Sequence, residues 1–284
     1  MAGKELCRGR GTAKAAEMPP AAETTRRIPH TKRPQSCEKE FSYCMEQIYT
    51  IPINEAFEAT AADPTLGCPL CLLRQQEEER ELDLIMGASM MEPDIRIRTN
   101  REGFCGRHFR MMYARRNRLG LALMLESHLN EIRRTLEEPA LLRKSGLAAA
   151  GPLKALTELE NSCYVCGRMQ QTLSRMTEVV ALLWDSDPSF RKKAEAQTSF
   201  CLPHYRSVLA CAKKRLSKKQ FASFYETMYN IESAHLTKLR EDVGWFCKKF
   251  DYRYEEEPWY DAKDAVERTI RSLSGEQERE GKPS

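Results

Sequence analysis

Apolar positions recur at three- and four-residue steps over most of this chain, the period of a helix face. Leu121, Met124, Leu125, His128, Ile132 and Leu136 share one such face. Met169, Leu173, Met176, Val180, Leu183 and Trp184 share another, and Tyr205, Val208, Leu209 and Ala212 start a third. The longest stripe is Phe221, Phe224, Tyr225, Met228, Ile231, His235, Leu239, Val243, Phe246 and Phe250, which predicts a helix from about Ser217. Further helices are expected over Leu72–Met91, from about Cys105, and over Asp261–Leu273. The Met91–Asp94 and Asp185–Pro188 stretches read as helix stops, because proline disfavours helix in the residue before it.

Three segments read differently. Tyr49-Thr50-Ile51-Pro52-Ile53 is short, β-branched and broken by proline, so an extended segment or edge strand is expected. Asn54 then caps a short helix. Arg96–Glu102 reads as polar loop. No alternation of strand and helix appears, which argues against a Rossmann or thioredoxin-like core. The fold class expected is all-α.

Two copies of one cysteine pattern punctuate the helices. Cys68-Pro69-Leu70-Cys71 precedes Phe104-Cys105-Gly106-Arg107-His108-Phe109, and Cys163-Tyr164-Val165-Cys166 precedes Phe200-Cys201-Leu202-Pro203-His204-Tyr205. Between the C-x-x-C and the C-x-x-H lie 33 residues in the first copy and 34 in the second. The expected architecture is therefore two pseudo-repeated halves, each with its own C-x-x-C and C-x-x-H site. A basic tail over 1–44 is expected to be disordered and dispensable, with Met45 a candidate native start. The first repeat is placed at 45–145 and the second at 146–273, joined in a Pro/Gly/Ala-rich stretch near residue 146. Residues 274–284 read as a polar tail.

Charge narrows the classes of partner. The formal net charge is +4, and residues 1–40 carry all of it, with nine Lys/Arg against five Asp/Glu. The rest is neutral, so nucleic acid is not an expected partner. Arginine clusters at Arg107–Arg118 and a basic run at Lys213–Lys219 read first as solvated helix ends. No apolar run is long enough to span a membrane, and the N-terminus has no apolar leader. Eleven cysteines without an export signal point to a reducing cytoplasm rather than a disulfide framework.

Three thiols and an imidazole at these spacings are a tetrahedral metal-ligand set. The candidate ligands are Cys68, Cys71, Cys105 and His108 in the first half, and Cys163, Cys166, Cys201 and His204 in the second. Two zinc ions are the expected cofactors, with an iron–sulfur cluster an open alternative. His128 and His235 form a subtler repeat, each following a Glu-Ser pair, Glu126 and Glu232 supplying the acid. They are candidates for an outer shell around the metals, against the plainer reading of core histidines bonded to a carbonyl. Leftover Cys7, Cys37, Cys44, Cys211 and Cys247 read as tail or packing thiols. No phosphate loop, nucleophile elbow or dinucleotide fingerprint occurs, so no reaction is assigned. The expected role is a metal-stabilised binding or regulatory module for a protein or small-molecule partner. Two alternatives stay open: a thiol oxidoreductase or redox sensor using Cys68 and Cys71, and a nucleic-acid-binding module.

Ile48–Phe57, Gly67–Cys71, Met90–Asp94, Gly103–Phe109 and Asn117–His128 together make the sequence resemble a bacterial domain-of-unknown-function family, number 6062, from about Ile48 to about Phe250. The resemblance implies a bacterial cytosolic protein, from a Gram-positive anaerobe, and implies no particular activity. Members are sometimes labelled as transporter-related. The stretch before Met45 departs from the family pattern.

Overall fold

A computed structural model describes residues 35–137 and 150–275. Eleven α-helices lie among the described residues, with no strand: α1 (Gln35–Ala62), α2 (Pro69–Met86), α3 (Pro93–Glu102), α4 (Gly106–Ala114), α5 (Arg118–Leu136), α6 (Ala150–Glu160), α7 (Tyr164–Ser186), α8 (Pro188–Glu195), α9 (Leu202–Arg215), α10 (Lys218–Lys248) and α11 (Ala265–Ser274). The chain divides into Met1–Phe41 and one compact unit, Ser42–Ser284. The join expected near residue 146, and the tails expected before residue 35 and after 275, lie outside the described residues. The tail boundary at 44 falls within α1.

The Tyr49–Ile53 segment is helical, correcting the extended reading. Pro52 sits inside α1. It denies one backbone donor to the helix, at a cost of about 3 kcal/mol. The face Ile53, Ala56, Phe57 and Thr60 is fully buried and outweighs it. Asn54 is interior rather than a cap, its side-chain amide donating to the Thr50 carbonyl at 3.0 Å.

Residues 96–102, expected as loop, belong to α3. Pro93 stands at the start of that helix, where its missing N–H would be unpaired in any case. The proline that excludes helix before it thus opens one after it. Upstream, α2 stops at Met86, five residues short of the expected end. Gly87 breaks it, and a single 3-10 turn (Ala88–Met91) follows. Asp187 likewise caps a new helix, α8, through the Ser189 N–H (2.8 Å), directly after the stop at Ser186. The starts near Cys105 and Ser217 fall as expected, and α5 begins at Arg118. Asn117 accepts from Gly120 N–H, and Ser217 forms a reciprocal capping box with Gln220.

Two helices organise the core. α2 and α7 lie side by side and antiparallel. The N-terminal part of α2 (Leu70, Leu73) packs with the C-terminal part of α7 (Met176, Val180, Trp184). The C-terminal part of α2 (Leu82, Ile85, Met86) packs with the start of α7 (Tyr164, Val165, Met169). Arg168 Nε, 3.3 Å from Glu81 Oε1, ties them in that direction. Each end of the pair has its own core. One gathers α1, α8, α9 and α10, with Phe57 against Phe190 (4.9 Å between centroids) and Trp184 against Phe224 (5.0 Å). The other, smaller core gathers α4 and α5 around Phe104, Met112, Leu121 and Met124.

Candidate metal centres

The antiparallel pair carries each C-x-x-C away from the C-x-x-H of its own half. Cys68 and Cys163 are the N-cap residues of α2 and α7, so the two knuckles sit at opposite ends of the pair. Cys105 and Cys201 are the N-caps of α4 and α9, with His108 and His204 in their first turns. The four-residue clusters that result are Cys68, Cys71, Cys201 and His204 (site 1) and Cys105, His108, Cys163 and Cys166 (site 2). The eight residues do form two Cys3His sets, but each set is drawn from both halves. The expectation that each half closes its own site is corrected: the 33- and 34-residue intervals are not the closed loops.

Backbone contacts hold the crossing in place. Tyr164 N–H donates to the Gly103 carbonyl (3.0 Å), and Ser162 Oγ donates to the Glu102 carbonyl (2.7 Å). The turn before Cys105 is thus bonded to the turn before Cys166. Gly103 has φ +59°, and a Cβ there would lie 3.1 Å from the His128 ring, so only glycine fits. Near site 1, Gln197 Nε2 donates to the Phe57 carbonyl (2.6 Å), and the Thr60 hydroxyl donates to Gln197 Oε1 (2.7 Å). This fixes the approach to Cys201 against α1.

In both sites the imidazole turns Nδ1 toward the thiols. His204 Nδ1 lies 3.6, 3.4 and 3.2 Å from the sulfurs of Cys68, Cys71 and Cys201. His108 Nδ1 lies 3.2, 3.2 and 3.5 Å from those of Cys105, Cys163 and Cys166. Sulfur–sulfur distances are 3.5 Å for Cys71–Cys201 and 3.9 Å for Cys105–Cys166. Zinc–sulfur bonds of about 2.3 Å and zinc–nitrogen bonds of about 2.0 Å on a tetrahedron put N···S edges at about 3.5 Å and S···S edges at about 3.8 Å. The donor atoms therefore already stand at the corners such an ion requires, and the two clusters could hold metal ions.

The electrostatics fit as well. In site 1, hydrogen bonds from Cys201 and Cys68 outweigh burial and hold the Cys71 thiol far below its ordinary range. Burial pushes Cys68 well up. Cys201 is raised to about 12; a hydrogen bond with Cys68 works against the rise, while the bond to Cys71 and burial produce it. In site 2, burial opposes ionisation of Cys163, but the His108 hydrogen bond brings it to about 6. Cys166 is pushed to about 12, chiefly by burial and by the neighbouring Cys163. Burial also opposes protonation of His108, yet hydrogen bonds to Cys163 and Glu78 raise it to about 9. Site 1 on its own thus favours a thiolate at Cys71 beside protonated Cys68 and Cys201, and site 2 a thiolate at Cys163 beside protonated Cys166. A divalent cation supplies the charge that releases the remaining protons.

The sites differ in their surroundings. Cys68, Cys71 and Cys201 are buried, whereas Cys166 is exposed and Cys105 and Cys163 are half-buried. A cavity of about 180 Å³ opens beside site 1, lined by its three cysteines together with His235 and Arg271. His108 has a partner on its far nitrogen: Nε2 lies 2.9 Å from Glu78 Oε1, and Arg107 holds the other Glu78 oxygen at 2.6 Å. Glu78 is buried, and the sequence analysis did not single it out. The available signal was position: Glu78 stands one helical turn before Leu82 on the buried face.

The four candidate outer-shell residues differ in their surroundings. His128 bonds the Asn100 carbonyl through Nδ1 (2.8 Å) and so follows the plainer reading. His235 Nε2 bonds Ser272 Oγ (3.1 Å) at the cavity beside site 1. Glu126 is exposed. Glu232 is buried, with one oxygen accepting from Phe200 N–H (3.4 Å), next to Cys201.

Fold and site together define an all-helical protein with two interleaved Cys3His clusters suited to metal ions. The chain belongs to a family of unknown function, DUF6062, whose model matches residues 44–280. No curated protein and no solved structure matches it. No helix among the described residues is long and apolar enough to cross a membrane.

Proposed function

We propose that each cluster binds one zinc ion and that the protein is a metal-stabilised binding or regulatory module of the bacterial cytoplasm, not an enzyme. One observation carries this reading: in each cluster, four donor atoms from two halves of the chain lie within 4.8 Å of one another, a full tetrahedral set of three sulfurs and one nitrogen. A closed four-ligand set is structural, whereas catalytic zinc keeps a position open. Each ion would cross-link two segments remote in sequence and so hold the paired halves as one body. Eight free cysteines among the described residues support a reducing compartment.

The alternatives have less support. An iron–sulfur cluster places several irons between its ligands and spreads them farther than a single ion does. A thiol oxidoreductase needs an accessible thiolate, and Cys68 and Cys71 are buried. A nucleic-acid module needs a continuous free basic patch. Arg107 pairs with Glu78, and Arg115 with Glu79 and Asp83.

Elemental analysis of protein purified without oxygen, with an ultraviolet–visible spectrum, tests the reading. Two zinc equivalents and a colourless spectrum are expected. A coloured iron-containing protein, or one without metal and with reactive thiols, would overturn it.

A further inference from the structure

Glu78 and its surroundings make the two sites chemically unequal. The clusters are related by the internal repeat, so each residue near one has a counterpart near the other. Glu78 lies seven residues beyond Cys71, and the residue seven beyond Cys166 is Leu173. Leu173 packs against the core around site 1. His108 therefore meets a carboxylate, and the repeat offers a leucine in place of that carboxylate at the equivalent position for site 1. His108 is 1 % exposed and Glu78 4 %, so water does not compete for their hydrogen bond. Arg107, adjacent to His108, holds the second Glu78 oxygen and keeps the carboxylate charged and aimed. By contrast, His204 uses Nδ1 toward its thiols and has no hydrogen-bond partner for Nε2 among the described residues.

We propose that Glu78 is the outer-shell positioning residue of site 2, holding the His108 Nε2–H so that Nδ1 points at the metal, and that this support sets the metal affinity of site 2 independently of site 1. The inference rests on the reading of both clusters as metal sites. A carboxylate on the far nitrogen of a ligating imidazole fixes tautomer and ring orientation and raises ligand basicity. α2 thereby serves both ions: its N-terminus supplies two ligands to site 1, and its middle turn supplies the support for site 2.

The test uses full-length protein equilibrated at graded, chelator-buffered concentrations of free zinc, with bound zinc counted at each. Glu78→Ala should lower the affinity of one ion by about 10- to 100-fold and leave the other unchanged. Glu78→Gln, which keeps an acceptor oxygen but not the charge, should fall between. Site identity follows from two backgrounds: the shift should persist in Cys201→Ser, where site 1 is disabled, and vanish in Cys105→Ser, where site 2 is. Glu81→Ala, on the same helix and bonded to Arg168, controls for general destabilisation and should shift neither. Nitrogen-15 spectra should show His108 protonated on Nε2 in the zinc-bound protein, and should remain readable in Glu78→Gln if the alanine variant does not fold. Equal shifts at both sites, or none, would overturn the role of Glu78 while leaving two zinc sites standing. A protein that binds no zinc would instead overturn the metal reading itself.

Discussion

Cys71 Sγ lies 3.5 Å from Cys201 Sγ, although 130 residues separate them in the chain. The contact follows from the antiparallel seating of α2 on α7, which sends each C-x-x-C to the far end of the pair. It makes each cluster a junction between the two halves, and it changes what loss of a single ligand should do.

Cys105→Ser should remove one metal equivalent, and the thiols set free should be Cys163 and Cys166, not Cys68 and Cys71. Cys201→Ser should in turn free Cys68 and Cys71. Alkylation of native protein followed by mass mapping distinguishes the two patterns. Labelling of the C-x-x-C within the same half as the mutation would contradict the crossed arrangement.

Metal removal should loosen the fold without melting it. Structural zinc contributes on the order of 10 kcal/mol in small modules that have little else. Here the buried faces of α7 and α10 supply a core of their own. Treatment with a chelator and a thiol reagent should lower the thermal midpoint strongly and leave most far-ultraviolet helicity in place. Hydrogen exchange should rise most in α4 and α5, which flank site 2 on the smaller core. Metal-free protein as stable as the native form would rule out a structural role.

Glu232 should give the stability a pH slope of a particular sign. Its Oε1 is buried without a hydrogen-bond partner among the described residues, and burial raises the carboxyl above its ordinary value of 4.5. With the folded-state value raised, its contribution is fully present below the ordinary value and is lost as pH rises through the raised one. Glu232→Gln keeps an acceptor for the Phe200 N–H and removes the titration. The variant should gain on the wild type in thermal midpoint as pH is raised from the acid side toward neutrality. A constant difference across that range would show that Glu232 titrates alike in folded and unfolded chains.

Phe57 is fully buried between Phe190 and Phe200, with ring centroids at 4.9 and 6.2 Å. Phe57→Ala should cost about 3–5 kcal/mol in denaturant unfolding, through lost transfer energy and the cavity left behind. It should leave the metal count at two, because Phe57 supplies no donor atom to either cluster. Loss of site 1 metal alone would show that α1 positions Cys201 more tightly than the Gln197 bonds require.

The sequence by itself determined the helical class, most helix starts, and the eight residues of the two clusters. These are local matters: a period of three to four residues, proline stops, and paired cysteines at fixed steps. Local reading failed at Tyr49–Ile53, where burial of Ile53, Ala56 and Phe57 overrode β-branching and proline, and at 96–102, where Pro93 opens a helix. Only the tertiary structure decided which C-x-x-C meets which C-x-x-H. The intervals within the halves are nearly identical, so spacing serves either pairing equally well. The choice rests on the direction in which α2 lies on α7, seen in Leu70 and Val180 sharing one core, Leu82 and Tyr164 sharing the other, and Glu81 bonded to Arg168. Glu78 was hidden for the same reason. A glutamate in a charged helical run is solvated unless a histidine from another helix is brought against it, and His108 is brought there by packing that no local pattern encodes.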